Sequence, residues 1–232
     1  MGRWIITLAF LVGSFALTQW LPFSEYFRNI DTMIHEFGHA AATLFLSGQV
    51  MYIHLYEDHS GVTSSAIRHG WQLIPIGLAG YVAASLFTVL LFYLHRRGYY
   101  RLGLLLVTAV AVASLILFVR NDYGAQWLLG FIGLNAIAIL IPIGFARTIY
   151  YLLIAFLTLV ESVLSAFTVL LLSWNNPPAA GDAANLAGVT SIPAVVWGAF
   201  FFIFSLWSAK KAIGYFLPWT ASNNKFNRQI GA

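Results

Sequence analysis

The chain contains no cysteine, which removes disulfides and thiolate metal ligands from consideration. Charge is nearly as scarce. Only 9% of the 232 residues are Asp, Glu, Lys or Arg, against about 25% in an average soluble domain. With 60% hydrophobic residues and a mean hydropathy of +0.79, the chain reads as an integral membrane protein. No segment is both long and polar enough for a separate soluble domain, and no internal repeat or low-complexity tract is evident. Residues 1–232 are therefore expected to form a single membrane domain. The net charge of +4 comes from clustered loop residues, which bear on topology and lipid headgroups; no nucleic-acid partner is expected.

Against this apolar background, residues 35–39 read His-Glu-Phe-Gly-His. Positions i and i+4 of a helix share a face, so His35 and His39 can offer two imidazole nitrogens to one cation. Glu36 can lean over the same point and take a proton from a water held there. Zn²⁺ suits this chemistry, since it keeps an open coordination position and acidifies its water to a pKa of roughly 7. With only 6 His and 8 acidic residues in the chain, chance is a poor explanation of the spacing.

Crossing a hydrocarbon layer of about 30 Å takes about 20 mostly apolar helical residues. Six segments qualify, at 4–22, 73–94, 101–119, 126–145, 148–173 and 193–211. The first lacks an Ala-x-Ala-like cleavage site and is read as a retained span, and Ile6 stands where a myristoylation signal wants Ser or Thr. Asp31 to Ser47 does not qualify, because its first turns carry Asp31, His35, Glu36 and His39. It is expected to enter the membrane and stop part-way. Strand-forming Val50 to Tyr56, a polar turn at 57–61 and Val62-Thr63-Ser64 predict a short β-hairpin after it. The expected fold class is thus an all-α polytopic membrane protein of about six transmembrane helices, with a partly inserted motif helix and a hairpin. Such irregular backbone is tolerated at membrane depth only beside protein or a wet cavity.

Six spans place Arg3, Arg96, Arg97, Arg101, Arg147, Lys210, Lys211, Lys225 and Arg228 on one side, and only Arg28, Arg68 and Arg120 on the other. Both termini are expected to be cytoplasmic in a multi-pass cell-membrane protein, with the motif opening to the opposite face. A seven-span arrangement divides these charges equally well.

A catalytic zinc takes three protein ligands and a water. Without cysteine, the third candidates are Glu57, His59, Asp122, Glu161 and Asp182. Six spans return the loops bearing Asp122 and Asp182 to the motif's face. Glu57 and His59 fit a polar hairpin tip, Asp182 could simply cap a short helix at its positive end, and Asp122 could pair with neighbouring Arg120 at the interface. Glu161, near the middle of a span, marks a functional position without an assigned role, because an ionisable group at that depth is costly. Gly38, with Gly80, Ala79, Ala83 and Ala84, supplies small residues at helix-packing spacing. Trp4, Trp20, Trp71, Trp127, Trp174 and Trp219 fall near span ends and fit an interfacial belt.

The motif followed by a hairpin ending Ser60-Gly61-Val62-Thr63 resembles the site-2 protease class of intramembrane zinc metalloproteases. More narrowly, it is similar to a compact bacterial branch of that class. Leu78-Ala79-Gly80-Tyr81, Arg120-Asn121, and Asp182-Ala183 through Leu186-Ala187, Thr190, Pro193 and Trp197 carry the narrower likeness. The resemblance implies Zn²⁺ held by His35, His39 and an aspartate late in the core, with Glu36 as catalytic base. Asn176-Pro177 through Gly181-Asp182 is the nearest echo of the family's Asn-Pro-x-x-Asp-Gly stretch, although Gly here precedes the Asp. That makes Asp182 the preferred third ligand and Asp122 the alternative. The expected function is hydrolysis of peptide bonds in membrane-embedded protein or peptide substrates. The competing expectation is a catalytically inactive metal-binding scaffold or regulator; a His/carboxylate transporter fits less well, since internal repeats are lacking.

Overall fold

The computed structural model describes residues 2–21 and 24–217. Lys225 and Arg228, used above to orient the chain, and Trp219 lie outside the described residues, as does the end of the first expected span at Pro22. Eight helices and one hairpin are described. Helices α1 (Gly2–Gln19) and α2 (Ser24–Phe45) precede strands β1 (Gln49–Leu55) and β2 (Gly61–Ala66). Then follow α3 (Leu73–Arg97), α4 (Tyr100–Ala113), α5 (Asp122–Leu140), α6 (Gly144–Asn175), α7 (Asp182–Thr190) and α8 (Ala194–Phe216).

Five helices are long and apolar enough to span a membrane: α3, α4 with its π-helical last turn Ser114–Phe118, α5, α6 and α8. Each lies over a segment expected from hydrophobic length. Helices α1 and α2 meet the same test only as a pair, bent by 102° to each other. The motif helix also begins seven residues before Asp31, at Ser24. Its buried face (Ile30, Met33, Ile34, Ala40) is interrupted by the polar residues Asn29, Asp31, Glu36 and His39, which are also buried. The sequence reading missed this start because Glu25, Arg28 and Asn29 lower the hydropathy without breaking the helical period.

Helix α6 is the central post. At 32 residues it is about 48 Å long, and Tyr151 through Ser162 are almost wholly buried against its neighbours. Helix α2 crosses α3 at very short range. A Cβ on Gly38 would come within 2.7 Å of the Ala83 methyl and 2.9 Å of the Ala79 carbonyl. The small residues singled out from spacing thus do permit close approach of two backbones. At the far end of the bundle, Tyr93 meets Tyr215, His95 meets Tyr100 and Phe216, and Arg96 lies over Tyr215.

The hairpin pairs Gln49 with Ala66 through Leu55 with Gly61, with an irregularity between Val50 and Tyr52. It is fastened along α2 by Thr32 donating to the His59 carbonyl (2.8 Å), Asn29 to the Tyr56 carbonyl (3.4 Å), and a Thr43–Ser65 hydroxyl pair (2.8 Å). The outer edge of β1 is covered. Ile53 bridges Val119 and accepts from the Arg120 amide (3.2 Å), while the Asn121 amide group accepts from Leu55 N–H and donates to Leu55 C=O. Asn121 therefore substitutes for a third strand at Leu55, which is fully buried. Replacing it leaves a buried N–H and C=O without partners, at about 1–3 kcal/mol each. Asn121→Ala is expected to lower stability by a few kcal/mol, read as a drop in the thermal midpoint of purified protein; an unchanged midpoint would contradict the clamp.

Candidate metal centre

His35 and His39 sit one turn apart on α2, and their Nε2 atoms approach to 2.9 Å. Asp182, the first residue of α7, brings Oδ2 to 3.1 Å from each. Three ligand atoms from sequence positions about 145 residues apart thus form a nearly equilateral triangle. Separations of this size are close to those between ligands of one tetrahedral zinc, roughly 3.3 Å at bond lengths near 2.0–2.1 Å. Each residue offers one ligand atom, and the group could hold a metal ion.

Local structure explains why the nitrogens face this way. His39 Nδ1 donates to the carbonyl of Ile76 at 2.7 Å, so its Nε2 carries the lone pair. The ring of His35 packs edge-on against Tyr81 (4.5 Å between centroids), and Tyr81 is stacked on Phe201 (4.4 Å). Gly80 lies against the Nε2 edge of both imidazoles, where a Cβ would stand 2.5 Å from each Nε2. Burial works against the Asp182 carboxylate, but positive charge at the imidazoles of His39 and His35, which a cation held among the three groups would replace, holds its carboxyl well below the usual range.

The triangle opens into a cleft of about 830 Å³ walled by α2, α3, α6, α7 and β2. Four of the chain's 8 acidic residues line it: Asp31, Glu36, Glu161 and Asp182. Concentrating carboxylates here is costly in an apolar bundle and marks a polar, hydrated site. Glu36 turns into the cleft beside the triangle, where Thr63 Oγ1 donates to its Oε2 at 2.6 Å. Glu161 is fixed by Arg28 Nε (3.0 Å) and Gln19 Nε2 (3.2 Å), tying α1 and α2 to α6.

The other candidates stand apart from the triangle. Asp122 is exposed in the first turn of α5, and Glu57 is exposed in the hairpin turn. His59 lines the cleft from that turn, where burial and the Arg28 guanidinium push its imidazole below the usual value. Ile76, Tyr81 and Thr63 shape the site without having been assigned to it from sequence. Ile76 contributes only a carbonyl, which leaves no side-chain signature. Tyr81 and Thr63 entered only through the family likeness, and no spacing rule links them to the motif.

Fold and site together define a polytopic membrane protein with a His-His-Asp cluster beside a glutamate, the arrangement of a membrane-embedded metallopeptidase. The family model described as Peptidase M50B-like matches residues 5–211, and the chain belongs to that site-2 protease-like family. No curated protein and no solved structure matches it.

Gly80→Ala is expected to drive a methyl into both imidazoles and lower bound zinc from about one per chain to a small fraction, with helicity by circular dichroism preserved. Full metal content in that variant would contradict the packing described for Gly80.

Proposed function

We propose that the protein is an intramembrane zinc protease that hydrolyses peptide bonds of membrane-embedded protein or peptide substrates. The observation that carries this reading is the convergence of His35, His39 and Asp182 Oδ2 within 3.1 Å, with the Glu36 carboxylate beside them in a polar cleft. The donor set of two imidazoles and one carboxylate is the kind that leaves zinc one position for water or substrate. Zinc bound there would supply Lewis-acid polarisation of the scissile carbonyl and acidify a water.

The chain's own residues do the rest. Glu36 accepts the proton of the attacking water and returns it to the leaving amine. A substrate helix has its backbone hydrogen bonds already satisfied, so it must unwind before it can be cut. The edge of β2 facing away from β1 pairs with no strand among the described residues, and Ser60 to Thr63 border the cleft. That edge can supply replacement hydrogen bonds to the unwound segment, as in strand addition.

Sidedness follows from charge. Arg96, Arg97, Arg101, Arg147, Lys210 and Lys211 cluster where α3, α4, α6 and α8 end or begin, and no acidic residue lies on those turns. The acidic residues lie instead on α2, the hairpin turn, the starts of α5 and α7, and the middle of α6. This polarity supports cytoplasmic termini in the cell membrane, with the cleft opening toward the other face.

Glu36→Gln is expected to keep about one zinc per chain while cleavage of a transmembrane peptide falls by at least 10²–10⁴-fold, whereas Asp182→Ala loses the metal. Undiminished cleavage by the Glu36 variant would overturn the protease reading, and a zinc-replete wild type that cleaves nothing would favour the scaffold.

A further inference from the structure

Among the described residues, the hydrogen bond given to the Glu36 carboxylate comes from the hairpin. Thr63 Oγ1 lies 2.6 Å from Glu36 Oε2 and 3.0 Å from the Glu36 carbonyl. A hydroxyl has one proton, and the shorter contact to a charged acceptor takes it. On the other side, the Gly61 backbone closes against the same group. A Cβ at Gly61 would stand 2.6 Å from Glu36 Oε1 and 2.7 Å from its Cγ. Both residues belong to β2, whose opposite edge has no strand partner among the described residues.

We propose that Thr63 is a positioning residue that ties the general base to the strand edge on which substrate docks. By holding Oε2, its hydroxyl leaves Oε1 for the reacting water. A chain paired to β2 then steadies the strand that holds Glu36, so binding energy from substrate residues remote from the scissile bond is realised in kcat. This rests on the protease reading above.

The test uses the full-length, zinc-loaded protein in detergent with a quenched-fluorescence peptide bearing an apolar segment, comparing Thr63→Val with Thr63→Ser. In Thr63→Val, zinc content and KM are expected to stay within about twofold of wild type while kcat falls on the order of ten- to a hundredfold. Thr63→Ser, which keeps the hydroxyl, recovers kcat to within a few-fold. Binding of a peptide hydroxamate, measured without turnover, should likewise weaken several-fold in the Val variant and not in the Ser variant, since the hydroxamate proton is received by Glu36. Unchanged kcat and hydroxamate affinity in Thr63→Val would overturn the proposal. So would loss of zinc in that variant, or failure of Ser to rescue, either of which assigns Thr63 to packing. If zinc-loaded wild type cleaves no peptide, the protease reading fails on its own, and the hydroxamate comparison still decides the role of Thr63.

Discussion

Three lone-pair donors held within about 3 Å of one another repel unless a positive charge sits among them. Most of the architecture around His35, His39 and Asp182 serves that juxtaposition. Helix α2 must lie almost on the backbone of α3, which Gly38, Ala79 and Gly80 permit. The Ile76 carbonyl turns His39, and Tyr81 backed by Phe201 holds the ring of His35. Helix α7 then returns over the mouth of the cleft, where Leu186 fills the space beside Gly77 and sets Asp182 in place. A larger residue at Gly80 or a shift of α7 would separate side chains that no local sequence pattern holds together.

The hydrolysis proposed for this site would also need water and exposed backbone, both of which hydrocarbon excludes. The free edge of β2 beside the polar cleft answers to that need. The hairpin's outer edge is occupied by Val119 to Asn121, leaving the β2 side toward the cleft. Nearby, the buried Glu161 carboxylate receives Arg28 and Gln19, which joins the first two helices to the central post α6. The mid-span carboxylate thus carries a structural tie between three helices and at the same time forms part of the cleft wall.

The spans were legible because hydrophobic length is a direct consequence of bilayer thickness, and α3, α4, α5, α6 and α8 fall where apolar runs predicted them. The His35–His39 pair was legible because the helical repeat brings i and i+4 together whatever the tertiary fold. The placing of Asp182 beside the two histidines was reachable only through topology and family likeness, since nothing in Gly181-Asp182-Ala183 distinguishes a residue that joins them from a helix-start carboxylate. The early start of α2 at Ser24, the Ile76 carbonyl and the Thr63–Glu36 contact were not legible. They depend on which elements pack together, and their partners are tens of residues away or lie in the backbone.

The central claim is that these three side chains share one zinc ion. Zinc K-edge X-ray absorption on the purified protein tests it most directly. The account predicts about one zinc per chain with only nitrogen and oxygen neighbours at about 2.0–2.1 Å, in a four-coordinate shell that includes two imidazoles. A protein that binds no zinc from metal-replete solution, or an octahedral all-oxygen shell without imidazole scattering, would contradict it.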